Sequence, residues 1–241
     1  MEPALRPRLL VTGFGPFPGS SVNPSGDIAR RVAASPRWRL IGAEAQAMVL
    51  PTAYSSIQDV LAPALRRDRY DAVLMIGVAS RAKRVRVERR AANRASILSP
   101  DASGRRSARL SIDAGAPAYR MAAASPARVL PQLRRRGLPC ATSQDAGRYL
   151  CNACYFSALS EPVPVLFLHI PKAPRRKPGR TGARRAWRAD WRERLASAFV
   201  AVGIDLLALA RREKTPAVPP CCSNGAACSV GVGVVPGRAL R

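Results

Sequence analysis

Two side chains in this sequence have the types and the spacing for nucleophilic chemistry. Cys151 follows a turn signal, Asp145-Ala146-Gly147-Arg148-Tyr149-Leu150, and precedes an apolar pattern with helical spacing at Cys154, Tyr155, Ala158 and Leu159. A cysteine in the first turn of a helix sits among backbone N–H groups that lack an intrahelical acceptor. Those donors and the helix dipole favour a thiolate. Eighteen positions later, His169 closes the run Val163-Pro164-Val165-Leu166-Phe167-Leu168-His169, and it is the only histidine in the chain. A short apolar run rich in β-branched and aromatic residues reads as a buried strand, here stopped by Pro171. The ends of such strands are where α/β folds place their chemistry. A thiol needs a base to attack and a departing amine needs an acid. With one imidazole available, a Cys–His mechanism must use His169. Taken singly, each residue has a plainer reading: a small apolar cysteine and a hydrogen-bonded core histidine.

Four motifs in order then carry a resemblance. Asp145 to Asn152 is similar to the nucleophile motif of the pyroglutamyl peptidase I family, the pyrrolidone-carboxylate peptidases. Leu166-Phe167-Leu168-His169-Ile170-Pro171 resembles its histidine motif. Val11-Thr12-Gly13-Phe14-Gly15-Pro16-Phe17 with Asn23-Pro24-Ser25 resembles its amino-terminal signature. Val87-Glu88-Arg89-Arg90-Ala91-Ala92-Asn93 resembles its glutamate motif. The resemblance implies a cysteine omega-peptidase that hydrolyses the N-terminal pyroglutamyl residue from peptides through a triad of Cys151, His169 and Glu88. It implies that Phe14, Phe17, Asn23, Tyr149 and Leu150 shape the pocket for the lactam. The partners so implied are peptides with N-terminal pyroglutamate, and no metal or organic cofactor is needed. Read without the resemblance, Glu88 is a surface ion-pair residue worth little, and Phe14 and Phe17 are equally suited to core packing.

The sequence also departs from that family. Where members often carry Gly-Gly-Arg after a strand, this chain has Ser80-Arg81; where many carry an arginine before Ile-Pro-Asp, it has Leu98-Ser99-Pro100-Asp101. That arginine is expected to help hold the oxyanion. Loss of one such donor costs on the order of a hundredfold in rate. The backbone N–H of Cys151 stays as a donor, and Arg94 is a candidate substitute.

The elements that must position these residues follow an α/β rhythm. Arg8 to Thr12 reads as a strand, and Pro24 opens a helix with Ile28, Ala29, Val32 and Ala33 on its apolar face. Leu40 to Leu50 reads as a strand, Tyr54 to Arg67 as a helix weakened or kinked at Pro63, and Asp71 to Val78 as a buried strand. Arg84 to Glu88 alternates as a strand with one wet face. Asp101 to Gly115 reads as an exposed loop and Ala118 to Ala124 is ambiguous. Pro126 to Arg136 reads as a helix and Leu138 to Ser143 as a short strand. Asp190 to Leu209 is a final helix with Trp191, Leu195, Phe199, Val202 and Leu206 inside. The sum is a three-layer α/β/α sandwich with a mixed, largely parallel central sheet. One domain is expected over 1–214, with a basic flexible loop at 172–189. Residues 215–241, without periodicity, read as a disordered tail.

At 241 residues the chain can bury a substantial core. The first residues carry no apolar segment of a secretory signal, and no run approaches a membrane span. Six cysteines without an even framework fit a reducing compartment, so a cytoplasmic protein is expected, with no membrane partner. Forty Lys and Arg against fifteen Asp and Glu give a net charge of +25. The excess is spread: 25 basic and 11 acidic residues up to residue 171, then 15 and 4. No zinc-finger, RNP or helix-turn-helix pattern accompanies it, which leaves only weak, non-specific nucleic-acid binding at low salt. A homo-oligomer stays open. Rival readings are an impaired family member, a basic nucleic-acid binder on the same fold, and a dithiol redox protein using Cys151 and Cys154. A zinc site drawn from Cys151, Cys154, Cys221, Cys222, Cys228 and His169 lacks a second clean C-x-x-C.

Overall fold

A computed structural model describes residues 6–17, 22–172 and 181–214, with the backbone alone for 181–189. Strands β1 (Arg8–Phe14), β2 (Glu44–Leu50), β3 (Ala72–Ala79), β4 (Val85–Glu88), β7 (Cys140–Ser143) and β8 (Val165–Pro171) form one sheet in the order β2-β1-β3-β8-β4-β7. β1, β2, β3 and β8 run parallel; β4 is antiparallel to β8 and parallel to β7. Two short strands, β5 (Arg90–Ala92) and β6 (Tyr119–Met121), pair separately.

Both faces of the sheet are covered, which is why its strands read as continuous apolar runs rather than alternations. On one face Leu9, Val11, Leu74, Ile76, Leu166, Leu168 and Ile170 pack against α1 (Pro24–Ala33), α4 (Pro126–Arg134) and α6 (Thr181–Lys214). On the other, Leu10, Phe14, Val73, Met75, Val165 and Phe167 pack against the helical segment that carries Ile57, Leu61 and Leu65 and against α5 (Leu150–Ala158). The result is the three-layer α/β/α arrangement expected, with the mixed sheet.

Several boundaries differ from the sequence expectation. The second strand starts at Glu44, because Arg37–Leu40 forms a helical turn, α2, and Gly42 turns the chain at φ +64°. The helix around Pro63 is two elements: a π-turn over Ile57–Leu61, in which the Ala62 N–H donates to the Ile57 carbonyl, and then α3 (Ala62–Arg67) with Pro63 in its first turn. The wider turn removes the need for the N–H that proline lacks. Of the loop expected over 172–189, the part from Thr181 onward is helix, the start of α6. Alanine and arginine are strong helix formers, so an arginine-rich stretch is not thereby a loop. Residues 173–180 and the expected tail 215–241 lie outside the described residues. The wet-faced strand at Arg84–Glu88 is mostly covered, and Glu88 is fully buried.

Candidate active site

The turn before Cys151 is built by local hydrogen bonds. Asp145 Oδ1 accepts from the Gly147 N–H at 2.9 Å, and Gly147 takes φ +85°, which only glycine adopts without cost. The chain then enters α5 with Tyr149 as an N-cap whose side chain makes no capping bond. The N–H groups of the first turn, including that of Cys151, have no intrahelical acceptor. Asn152, fully buried, ties this turn in place: its Oδ1 accepts from the Ala92 N–H at 2.9 Å, and its Nδ2 donates to the carbonyls of Ala92 and Arg94, both at 2.8 Å.

Sheet register brings the other two groups together. Gly77 of β3 stands opposite His169 of β8. A side chain at Gly77 would fill the space the sulfur uses: a Cβ there would lie 2.6 Å from Phe167 Cζ and 3.0 Å from Cys151 Sγ. Across the antiparallel pair, Glu88 of β4 faces Phe167, two residues before His169. That diagonal is within reach of long side chains on one sheet face. His169 Nδ1 and Glu88 Oε1 are 2.8 Å apart. The Tyr155 hydroxyl donates to the Glu88 carbonyl at 2.9 Å, pinning the strand end.

The electrostatics follow from this packing. Burial alone would push the His169 imidazole down, since it disfavours the charged form. Hydrogen bonds and charge interactions with Cys151 and Glu88 outweigh it and raise the group to about 9. The protonated ring is thus favoured by the groups packed against it, and Glu88 is itself out of water. Burial pushes the Cys154 thiol in the opposite sense to reactivity, well up, and the residue packs in the core as expected. That leaves the dithiol reading without a second thiolate. Cys221, Cys222 and Cys228, the other members of the metal set considered above, lie outside the described residues.

Beside Cys151 is a cavity of about 160 Å³ lined by Phe14, Phe17, Asn23, Thr52, Val78, Ser80, Tyr149, Leu150 and Cys151. All five of the pocket residues expected from the sequence are in that lining, and no Asp, Glu, Lys or Arg among the described residues is. The loop after β1 is held open by its own bonds: Asn23 Nδ2 and Thr52 Oγ1 both donate to the Gly15 carbonyl, at 2.9 and 3.0 Å. Asn23 Oδ1 also caps α1 through the Ser25 N–H. Neither Leu98, which stands where the resemblance anticipates an arginine, nor Arg94, the candidate substitute, is in that lining. Leu98 is 80% exposed, and Arg94 lines a neighbouring cavity rather than this one.

Sequence reasoning missed Gly77, Asn152, Tyr155 and Thr52. Gly77 had a signal, a glycine in a buried strand, which marks a close approach of another group. The other three act through contacts far apart in sequence.

Comparison with known proteins places the chain in a family. The family model for pyroglutamyl peptidase matches residues 7–184. A pyrrolidone-carboxylate peptidase of Gloeobacter violaceus is 33% identical over 172 residues, covering 69% of this chain and 82% of its own. That of Streptomyces coelicolor is 32% identical over 216 residues, covering 87% and 94%. Among solved structures, a mutant pyrrolidone carboxyl peptidase from Pyrococcus furiosus superimposes with a TM-score of 0.70 at 25% identity, over 86% of this chain and all of that one. The chain belongs to the pyroglutamyl peptidase family.

Proposed function

We propose that this chain releases the N-terminal pyroglutamyl residue from peptides, with Cys151 as nucleophile, His169 as acid and base, and Glu88 as the group that orients His169. The observation that carries the assignment of roles is the buried 2.8 Å contact between His169 Nδ1 and Glu88 Oε1. Because Nδ1 is committed to Glu88, Nε2 is the atom left for the sulfur and the leaving group. Glu88 stabilises the imidazolium and fixes its orientation.

The reaction runs in two halves. The Cys151 thiolate attacks the carbonyl carbon that joins the lactam ring to the next residue, and its electrons move to the carbonyl oxygen. N–H groups of the first turn of α5 face that oxygen. The C–N bond breaks as His169 gives its proton to the departing amine. Neutral His169 then takes a proton from water, whose oxygen attacks the thioester and frees pyroglutamate and the thiolate.

Selectivity comes from what the small cavity lacks. Phe14 and Phe17 offer apolar faces to a flat five-membered ring, and among the described residues no Asp or Glu lines the cavity to pair an ammonium group, which makes its entry costly. Among the described residues no helix is long and apolar enough to cross a membrane. The free thiols of Cys140, Cys151 and Cys154 support a reducing, cytoplasmic setting.

The test is hydrolysis of a fluorogenic pyroglutamyl amide by wild type and Cys151→Ala. Wild type is expected to turn over, and the variant to lose at least about 10⁴-fold in kcat. Equal rates in the two proteins, or no turnover by wild type, overturn the reading.

A further inference from the structure

We infer that the cavity beside the catalytic pocket is a subsite for the second and third residues of the substrate, selecting an apolar side chain at the second and a carboxylate at the third. This rests on the peptidase reading above and deepens it. The cavity, about 410 Å³, is lined by the 93–98 segment together with Leu110, Ser111 and Arg148.

Its position is fixed relative to the nucleophile. Arg148 in its wall and Tyr149 in the wall of the lactam pocket are consecutive residues. Arg148 precedes Cys151 by three positions, a span of at most about 11 Å of chain. A peptide whose scissile carbonyl sits at Cys151 covers the same distance in its next two or three residues. Two backbone bonds lock the walls to the nucleophile turn and to each other: the Ser96 N–H donates to the Arg148 carbonyl at 2.6 Å, and the Ala95 N–H to the Leu110 carbonyl at 2.8 Å. The Arg94 carbonyl is held by Asn152, the neighbour of Cys151. The cavity is thus built onto the same scaffold as the site.

Its chemistry is two-sided. Ile97, Leu98 and Leu110 are 42, 80 and 66% exposed. One exposed leucine is ordinary; three large apolar side chains around one cavity mark a surface with something to cover. Arg94 and Arg148 stand at the same cavity, both exposed, and neither has an ion-pair partner among the described residues. An apolar floor with two unpaired guanidinium groups fits an apolar side chain followed by a carboxylate, whether the terminus of a short peptide or an acidic side chain. Leu98, which stands where the resemblance anticipates an arginine, gains a use in this arrangement.

The test is kcat/KM on four peptides: pyroglutamyl-leucyl-alanine amide, its seryl counterpart, pyroglutamyl-leucyl-glutamate amide, and pyroglutamyl-leucyl-alanine with a free terminus. Leucine over serine is expected to gain about tenfold. Either carboxylate is expected to gain about threefold at low salt, a gain that vanishes at high salt. The glutamyl and free-terminus arms identify which carboxylate is preferred. Leu98→Ser should shrink the leucine-to-serine ratio, and Arg94→Gln with Arg148→Gln should remove the carboxylate gain. Because ratios between substrates are read, a general loss of folding or chemistry cancels. Equal kcat/KM for all four peptides in an active wild type, or ratios unmoved by the substitutions, overturn the subsite while leaving the peptidase reading intact. No cleavage of any peptide or of the fluorogenic amide overturns the peptidase reading first.

Discussion

Gly77→Ala offers the sharpest test of how this site is assembled. The added methyl group would lie 2.6 Å from Phe167 Cζ, 2.9 Å from Phe167 Cε1 and 3.0 Å from Cys151 Sγ, against ordinary contact from 3.4 Å. The ring must retreat by about 0.8 Å and the sulfur by about 0.4 Å. Phe167 has little room to do so. It is fully buried, its centroid 5.4 Å from that of Tyr155 and 4.7 Å from that of His169. Any shift is therefore passed to the imidazole or to the tyrosine that pins Glu88. Overpacking of this kind costs about 1–3 kcal/mol of stability. Displacing a nucleophile or its base by near 1 Å costs on the order of a hundredfold in rate. The assay is kcat/KM on a fluorogenic pyroglutamyl amide, with urea unfolding run in parallel so that only folded protein is compared. Gly137→Ala is the control. Its φ of +67° makes alanine costly by about 1 kcal/mol, yet nothing lies within 4 Å of the new methyl group, so activity per folded molecule should hold. Gly77→Ala activity within threefold of wild type would refute the claim that this glycine makes room for the sulfur.

Other perturbations probe the charges. His169 is raised to about 9 in the folded chain from 6.5. Its contribution to stability is therefore complete below about 6.5 and is lost as pH rises through about 9, and kcat/KM should fall on the same alkaline limb. A profile flat to pH 10.5 would contradict the ring's role. Glu88→Gln removes one cause of the raised value, so the alkaline limb should move to lower pH and kcat should drop on the order of 10³-fold or more; a limb that stays in place would show that Glu88 does not act through His169. Cys154→Ala should leave turnover of the amide near wild type, at a stability cost of about 1 kcal/mol measured by urea unfolding, whereas a dithiol mechanism requires that turnover be lost.

What the sequence made legible was what lies in short continuous stretches. The run Val163 to Pro171 and the turn Asp145 to Gly147 announce a strand end and a helix start through local chemistry, and both stand where they were expected. The strand read from Leu40 starts late and the loop read over 172–189 gives way to helix from Thr181, because propensity alone does not separate helical turns from strand or loop when charge dominates composition. Pro63 was a true warning whose solution, a π-turn, depends on packing that no local pattern encodes. The cluster of Gly77, Asn152, Tyr155 and Thr52 became visible only when sheet order was known, since each of them acts on a residue more than thirty positions away.

Sheet direction explains why the carboxylate is buried. β4 runs against β8, so the end of β4 lies beside Phe167, inward of His169, instead of emerging with the parallel strand ends. Glu88 therefore meets the imidazole from beneath, fully out of water, with Oε1 on Nδ1 and Oε2 without a hydrogen-bond partner among the described residues. An unpaired carboxylate in that position would be strongly destabilising. The surrounding fold tolerates it because Cys151 and Glu88 together favour the protonated form of the ring that the carboxylate holds. Replacing His169 by a neutral residue should accordingly cost more stability than its own packing volume accounts for, whereas removing both charges together should cost less than the sum of the two single changes.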